Sequence, residues 1–318
     1  MRILMLADND PAGTLILFCK AINELTEHTC RVATLQKRYN CEFETDFFLP
    51  ELDEKGLDEL GGEFRACDVL HFHMTADENT AFGPFIPRNH MAGKAVVHHH
   101  HGHPDFRGNP EKYREKYARL GRKNLLVSTP DLLELLPGTH WQPNLIPIND
   151  PLYSPNGPKP ESPVKIAHSP TRREIKNTED FLSVMEELAG SGMDVEPELI
   201  EMQSQRRCLE RKRASHAVFD HMQGYFGMSS LEALSQGLPV IAGLSDFCRA
   251  HIEEFTGAGE LPWIAASDKR ELGAALRKLV LDKDFGETMA RQSRAFMTEF
   301  WNEAAVLKRL DSFYRGLN

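Results

Sequence analysis

Short apolar runs of strand length recur along the first half of the chain and alternate with segments of helical spacing. The first run, Arg2 to Ala7, is followed by a turn and then by LILFCKAINEL, whose apolar residues recur at helical intervals. Similar runs extend over Asp68 to His73, Ala95 to His99 and Asn124 to Ser128. Because strands that alternate with helices pair in parallel, this pattern predicts a doubly wound α/β domain with helices on both faces of its sheet.

A proline-dense segment interrupts the alternation near the middle of the chain. Seven of the nineteen prolines lie between Pro143 and Pro163, and prolines this dense continue neither a helix nor a sheet. The alternation then restarts, with strands predicted over 164–168, 195–201, 217–220 and 239–242 and helices over 178–189, 204–215 and 228–236. We therefore expect a Rossmann-like domain over residues 1–148, a linker over 149–163 and a second Rossmann-like domain over 164–299. Two such domains predict a ligand site in the cleft between them.

Charge and cysteine content narrow the class of protein. Lys and Arg total 37 against 47 Asp and Glu, and the resulting charge of -10 disfavours nucleic acid and anionic membranes as partners. The six cysteines are scattered without a C-x-x-C pair, which indicates reduced thiols and no disulfide framework. With no signal peptide and no long apolar stretch, we expect a soluble, cytoplasmic protein. Basic runs over 111–124 and 206–213 leave contact with a phosphorylated lipid or nucleic acid open, but we interpret both as solvated helix faces.

The most informative stretch is HMQGYFGMSSLEALSQGLPVIAG, residues 221–243. Gly224 and Gly227 bracket an aromatic pair in a loop, and Ser229 or Ser230 can cap the helix that follows. Backbone N–H groups at the start of such a helix form an anion site suited to a diphosphate. Glu232 near that start can accept hydrogen bonds from the vicinal diol of a ribose, or it can simply compensate the helix dipole.

The same stretch resembles the signature of the GT-B glycosyltransferases, in particular the retaining family four. The matching residues are Phe226-Gly227, Leu231-Glu232-Ala233 and Gly237-Leu238-Pro239-Val240-Ile241. The resemblance implies a GT-B fold and transfer of a sugar from a nucleoside diphosphate to an acceptor hydroxyl, with retention and without a metal. It also implies that Glu232 holds the ribose and that Gly227, Met228, Ser229 and Ser230 contact the diphosphate. Gly224 stands where the family usually has a second Glu, which leaves the donor sugar and the retaining outcome open.

Two further segments are similar to ligand-binding loops of that family. HSPTRREIKNT, residues 168–178, resembles its phosphate-binding loop, in which basic side chains neutralise the leaving group. Arg173 and Lys176 are the candidates, with Arg172 nearly equivalent and a solvated basic loop as the other interpretation. Gly13 occupies the position of a glycine loop in the first domain. The neighbouring Asp8-Asn9-Asp10 is interpreted as an ordinary turn rather than a metal site.

The run VVHHHHGHPDFRG, residues 96–108, is compositionally a metal candidate. On a strand, however, His98 and His100 point away from the face that carries His99 and His101. His101-Gly102 resembles the histidine-glycine pair that faces the donor sugar in GT-B enzymes, so we expect His101 to be the single functional histidine and predict no metal site. His98, His99 and His100 are expected to be buried or paired, and the candidate acceptor contacts are His103, Asp105 and Arg107.

The sequence thus predicts a glycosyltransferase that needs no cofactor and uses a UDP- or GDP-linked sugar as donor. Its acceptor would be a glycan, a lipid-linked sugar or a small molecule. The resemblance further implies that an amphipathic helix over about 300–318 packs back onto the first domain. Three alternatives remain open: a non-catalytic sugar-nucleotide-binding subunit, suggested by Gly224; a nucleotide-sugar epimerase or phosphorylase; and a DNA-base glycosyltransferase, which the net charge disfavours.

Overall fold

The computed structural model describes residues 1–317, which form two compact units. Residues Met1–Leu145 and the C-terminal segment that begins at Glu303 make up the first unit, and Ile146–Asn302 make up the second. The change from one unit to the other falls inside the proline-dense segment. Each unit is built around its own parallel sheet.

The sheet of the first unit has seven strands in the order β3-β2-β1-β4-β5-β6-β7, all parallel. The strands are β1 (Arg2–Asn9), β2 (Thr29–Gln36), β3 (Phe47–Phe48), β4 (Val69–His73), β5 (Ala95–His100), β6 (Leu125–Val127) and β7 (His140–Trp141). The helices between them are α1 (Thr14–Leu25), α2 (Glu54–Ala66), α3 (Pro104–Gly108), α4 (Pro110–Leu120) and α5 (Asp131–Leu135), with short 3-10 helices at Leu49–Glu51 and Pro87–His90.

Side-chain alternation along β1 and β4 sends apolar residues to both faces of this sheet, because successive residues of a strand point in opposite directions. On one face, Leu4 and Leu70 pack with Leu60 and Phe64 of α2 in a single buried cluster. Asp53 fixes the start of α2, since its carboxylate accepts a hydrogen bond from the N–H of Gly56 at 2.8 Å. Burial on both faces explains why these strands are near-continuous apolar runs.

The sheet of the second unit has five parallel strands in the order β12-β11-β10-β8-β9. They are β8 (Val164–His168), β9 (Val195–Leu199), β10 (Ala217–Phe219), β11 (Val240–Ala242) and β12 (Trp263–Ala265). The helices are α6 (Thr178–Gly190), α7 (Gln205–Arg213), α8 (Met228–Ser235), α9 (Asp246–Thr256), α10 (Lys269–Leu281) and α11 (Lys283–Glu299), with 3-10 helices at Pro151–Tyr153 and Arg173–Ile175. The predicted fold class of two doubly wound, Rossmann-like domains is confirmed.

The last helix, α12 (Glu303–Arg315), belongs to the first unit and begins three residues later than the predicted position near 300. Its Leu310 and Tyr314 are fully buried, and the Tyr314 hydroxyl lies 2.6 Å from Nδ1 of His71 in β4. Trp301, just before α12, packs instead against Phe296 in the second unit, with ring centroids 5.9 Å apart. Among residues 1–317, no helix combines the length and apolar character that a membrane crossing needs.

Replacing Leu310 tests how much α12 contributes to the first unit. We expect Leu310→Ala to lower the free energy of unfolding by about 2–5 kcal/mol, because it deletes a fully buried side chain and leaves a cavity. Urea unfolding, followed by tryptophan fluorescence, measures the change. Lys308→Ala on the exposed side of the same helix is the control and should change stability by less than about 0.5 kcal/mol. Equal effects of the two substitutions would show that α12 does not pack as described.

Candidate functional site

The buried carboxylate of Asp220 organises the loop between β10 and α8. Its Oδ2 accepts hydrogen bonds from the backbone N–H of Gly227 at 2.6 Å and from the Ser230 hydroxyl at 2.7 Å, and its Oδ1 lies 3.0 Å from Nζ of Lys176. Burial raises the pKa of Asp220. Lys176, His221 and the two hydrogen bonds lower the pKa by more than burial raises it, so the pKa lies far below its usual value. Asp220 is therefore a charged group that joins α8 to the segment after β8.

Gly227 is the N-cap of α8, and it lets the Lys176 ammonium approach the first turn. A Cβ atom at position 227 would lie 2.9 Å from Nζ of Lys176 and 3.3 Å from both carboxylate oxygens of Asp220. Because glycine has no side chain, α8 has no side-chain cap, and Ser229 and Ser230 do not supply the cap that the sequence suggested. A cation and the positive end of a helix dipole thus lie side by side, which is the physical basis of an anion site.

The loop after β8 also contacts the start of α8 through two hydroxyls. Ser169 Oγ lies 3.0 Å from Ser229 Oγ. His168, the last residue of β8, is buried, with Nδ1 3.0 Å from the Phe219 carbonyl and Nε2 2.9 Å from the Thr178 hydroxyl. Burial lowers the pKa of His168 to about 4, so this side chain is a neutral support for the loop.

Glu232 lies one turn further along α8 and forms a buried ion pair with Lys212 of α7. Glu232 Oε2 is 2.6 Å from Lys212 Nζ, and the two residues are only 5% and 1% exposed. Burial lowers the pKa of Lys212, but Cys208, Glu232 and Asp220 raise it above the usual value, so that the lysine stays charged. The prediction that residues 206–213 form a solvated face is wrong for Lys212. Its ammonium is buried and contacts the Glu232 carboxylate instead of water.

The two arginines of the predicted phosphate loop differ in their surroundings. Arg173 forms a bidentate pair with Glu201, at 2.8 and 2.7 Å, and its NH1 group donates to Glu179 at 3.2 Å. Arg172 is exposed and has no hydrogen-bond or ion-pair partner within residues 1–317. The structure therefore brings Lys176 to the start of α8, whereas Arg173 is held by carboxylates and Arg172 is exposed to solvent.

Gly224 has a left-handed backbone conformation with a φ of +85°, which residues with a side chain rarely adopt. Its carbonyl accepts a hydrogen bond from the N–H of Ser245 at 2.9 Å, which ties the loop to the start of α9. A glutamate at this position would be strained in this loop conformation. The left-handed backbone conformation at position 224 therefore explains why this chain has glycine where the pattern it resembles has glutamate.

In the first unit, Gly13 is the N-cap of α1, with a φ of +68°. Asp10 is fully buried, and its Oδ2 accepts hydrogen bonds from the N–H groups of Leu15 and Ile16 at 3.0 and 3.2 Å. Burial raises the pKa of Asp10 to about 7, against the lowering effect of these backbone donors. The carboxylate thus supports the start of α1, consistent with an ordinary structural turn.

The histidine run occupies both faces of β5, as strand alternation predicts. His98, His99 and His100 are buried: His98 Nε2 is 3.2 Å from Glu78 Oε1, and His100 Nε2 is 2.7 Å from the Tyr117 hydroxyl. His101 is half-buried, with Nε2 2.9 Å from Nδ1 of His73. The expectation that the three strand histidines are buried is therefore confirmed.

The candidate acceptor contacts lie just beyond β5. Nδ1 of His103 accepts a hydrogen bond from the N–H of Asp105, and the Asp105 carboxylate accepts hydrogen bonds from the Tyr113 hydroxyl and the Lys112 ammonium. Arg107 donates to the Gly102 carbonyl and to Asp131. Asp105 and Arg107 thus have local partners, and their role as acceptor contacts stays a prediction.

Solved structures share the fold of this chain. Neither a protein-family model nor a curated protein matches it. HepE from Anabaena, in complex with UDP and glucose, is 13% identical with a TM-score of 0.65 over 100% of both chains. An α-glucosyltransferase in complex with UDP is 10% identical with a TM-score of 0.63 over 99% of this chain and 100% of that one. A UDP-N-acetylglucosamine 2-epimerase is 12% identical with a TM-score of 0.53 over 99% and 96%. The chain has the GT-B fold.

The charge of Asp220 predicts a pH dependence of stability. Because its pKa is lower in the folded protein than the ordinary 3.8, its stabilising contribution is complete above about pH 4 and is lost as the pH falls below that value. We expect Asp220→Asn to lower the free energy of unfolding at pH 7 by about 3–5 kcal/mol, since Lys176 loses its partner. The gap between variant and wild type should narrow towards pH 3.

Urea unfolding at pH 7, 5 and 3 measures that gap. The control is Asp194→Asn, because Asp194 is exposed and its loss should change stability little at any pH. A gap between Asp220→Asn and wild type that stays constant across this pH range would contradict a charged Asp220 in the folded protein.

Proposed function

We propose that this protein is a glycosyltransferase that moves a sugar from a nucleoside diphosphate to an acceptor hydroxyl. The observation that carries the proposal is the start of α8, where an uncapped helix N-terminus, the ammonium of Lys176 and the carboxylate of Glu232 lie within one short helix and its neighbouring loop. A diphosphate needs the first two features and a ribose needs the third. The GT-B structures with bound UDP support the same interpretation.

Lys176 is proposed to bind the diphosphate. Its ammonium has three N–H donors, of which one meets Asp220, so that the others are available to phosphate oxygens. Asp220 holds the ammonium beside Gly227, and the backbone N–H groups of Met228 and Ser229 supply further donors at the helix start. The negative charge on the diphosphate grows as the glycosidic bond breaks, and fixed donors at this place stabilise that charge.

Glu232 is proposed to bind the ribose. Within residues 1–317 only its Oε2 has a hydrogen-bond partner, the ammonium of Lys212, so Oε1 keeps its lone pairs for sugar hydroxyls. Lys212 then has a positioning role, because its ion pair fixes the rotamer of Glu232 at the donor. A dipole-compensating acid alone would not need a buried lysine as partner.

The phosphate contact from arginine is assigned to the loop at residues 172–173. The sequence favours Arg173, but its bidentate pair with Glu201 uses two of its donors, whereas Arg172 is exposed and unpaired among the described residues. Both arginines are therefore proposed as donors to the diphosphate, with Arg172 able to turn toward a ligand without breaking an ion pair.

The proposed reaction needs no nucleophile, metal or cofactor from the protein. The departing phosphate deprotonates the acceptor hydroxyl on the same face of the sugar, which gives retention, while the protein positions the reactants and stabilises charge.

The contacts to the two sugars follow from the family resemblance. His101 and Gly13 are proposed to contact the donor. His103, Asp105 and Arg107 are proposed to contact the acceptor. Because Gly224 has no carboxylate to bind the donor sugar, other residues are proposed to recognise that sugar. A UDP-linked donor is favoured by the nucleotide in the similar structures.

A nucleotide-sugar epimerase is the second candidate, because a UDP-N-acetylglucosamine 2-epimerase shares the fold. A GT-B transferase makes a new glycoside only when an acceptor is present, whereas an epimerase converts the nucleotide sugar alone. Mass spectrometry and NMR of products, with and without a mixture of glycan acceptors, separate the two. A protein that binds UDP-sugars but changes none of them would instead be a non-catalytic binding subunit.

Replacing Lys176 tests the diphosphate site. We expect Lys176→Met to weaken UDP binding by about 10-fold or more and to lower kcat/KM by about 100-fold, because a charge-assisted contact to the leaving group is lost. Isothermal calorimetry with UDP, and turnover of UDP-linked sugars, measure the two effects. Uridine, which lacks the diphosphate, should bind the variant and the wild type equally.

Lys165→Met is the matched control, because Lys165 lies in β8 and its one ion pair within residues 1–317 is with Glu196 at 3.6 Å. Arg172→Gln and Arg173→Gln in the same assay show which arginine contributes to phosphate binding. Unchanged UDP affinity in Lys176→Met would place the diphosphate elsewhere.

A double-mutant cycle tests Glu232. We expect Glu232→Gln to weaken binding of UDP by about 10-fold while 2′,3′-dideoxy-UDP, which lacks the ribose diol, binds both proteins alike. Because the single change leaves Lys212 charged and buried, Glu232→Gln combined with Lys212→Met restores stability without restoring UDP affinity. Recovery of UDP affinity in the double variant would show that Glu232 acts only by neutralising Lys212.

A further inference from the structure

Four histidines lie together on one face of the first unit's sheet. β4 and β5 are parallel neighbours, with His71 opposite Val97 and His73 opposite His99, so alternate residues of both strands point to the same side. His71, His73 and His99 are at most 1% exposed, and His101 extends the row. Ring centroids of neighbouring members are between 4.2 and 5.5 Å apart. No single run of the sequence contains this group, because His71 and His73 belong to β4, whereas His99 belongs to β5 and His101 follows its end.

Several ring nitrogens of these histidines have no hydrogen-bond partner within residues 1–317. Within residues 1–317, His71 Nε2, His73 Nε2 and both ring nitrogens of His99 are buried and accept or donate no hydrogen bond. Buried polar groups are almost always paired in folded proteins, and a cluster of unpaired imidazole nitrogens indicates a ligand that bonds to them. One ring nitrogen from each of His71, His73 and His99 lies within 4.8 Å of the other two.

The remaining nitrogens of two rings are held in the way that metal ligands usually are. His71 Nδ1 lies 2.6 Å from the hydroxyl of Tyr314, and His73 Nδ1 lies 2.9 Å from Nε2 of His101. A metal-ligating histidine normally uses one nitrogen for the ion and has the other oriented by a hydrogen bond. In His71 and His73 one ring nitrogen is therefore oriented by a partner, whereas Nε2 has no hydrogen-bond partner within residues 1–317.

We propose that His71, His73 and His99 bind a divalent transition-metal ion of the zinc type, with Tyr314 and His101 as the groups that orient two of the ligands. Three imidazoles and an open fourth position suit Zn²⁺, whose Zn–N bonds are about 2.0–2.1 Å and place tetrahedral ligand nitrogens about 3.4 Å apart. The three ring nitrogens, each within 4.8 Å of the others, would approach one another to that distance on metal binding. Neutral imidazole ligands also suit Co²⁺ and Ni²⁺, so cobalt serves as a spectroscopic substitute.

Metal content tests the proposal on the wild-type chain without any substitution. After treatment with EDTA and gel filtration, we expect one Zn²⁺ per chain to rebind by calorimetry, and Zn²⁺ to raise the Tm by about 5 °C or more. Co²⁺ in place of zinc should give visible ligand-field absorption of a tetrahedral nitrogen site. No binding of either ion, or binding without a tetrahedral Co²⁺ spectrum and without a change in Tm, overturns the proposal.

Neighbouring histidines of β5 provide a matched pair of variants. His99→Gln removes a proposed ligand, whereas His100→Gln removes an equally buried histidine from the opposite face, where it meets Tyr117. We expect His99→Gln to lose the Co²⁺ spectrum and the zinc-dependent rise in Tm, and His100→Gln to retain both, even if the two variants are equally destabilised. Retention of the cobalt spectrum in His99→Gln, or its loss only in His100→Gln, would overturn the assignment.

Discussion

The candidate site depends on one buried negative charge, the carboxylate of Asp220. Removing a carboxylate from water costs several kcal/mol, so this group persists at the end of β10 only because protein donors replace its hydration. The donors come from Lys176, the Gly227 backbone and Ser230, which belong to the loop after β8 and to the start of α8. A single residue thus determines where the ammonium stands relative to the helix N-terminus. The same interaction favours glycine at position 227, because a Cβ there would lie 2.9 Å from Nζ of Lys176 and would push the ammonium away from its present place beside Asp220.

The second buried pair, Lys212 with Glu232, gives the site a balanced charge before any ligand arrives. Two lysines and two carboxylates cancel, so a diphosphate would be held by oriented N–H groups and the helix dipole rather than by an excess of positive charge. This fits a chain whose net charge is -10. This charge balance also distinguishes the proposed donor site from a general polyanion-binding site, for which exposed and unpaired basic side chains would be expected. The only arginine of the loop with that character is Arg172.

Much of the second unit could be predicted because its strands are short and apolar and its helices are periodic. The strand over 164–168 was predicted with the bounds that the structure has, and the helix over 228–236 ends one residue earlier than predicted.

The burial of Lys212 could not be predicted, since a lysine inside a highly charged run indicates a solvated surface. Gln205, Leu209 and Lys212 are spaced as one helix face, and all three are buried. The spacing identified the face, but only the acid on another helix makes a buried ammonium tolerable. Asp220 was missed for a related reason: Gly227 and Ser230 are 7 and 10 residues away, but its cationic partner Lys176 is 44 residues away in the sequence.

The histidines show most clearly where local sequence stops being informative. The alternation of a strand by itself determined that His99 and His101 share one face and that His98 and His100 share the other, because the side-chain period of a strand is two. Strand order decided the rest. Only the folded sheet places β4 beside β5, and only α12 brings Tyr314 to His71, so the group of His71, His73, His99 and His101 exists through contacts between segments that are far apart in the chain. The sequence determined which way each side chain points, whereas the tertiary structure decided what each one meets, since pairing between distant strands depends on the packing of the whole unit.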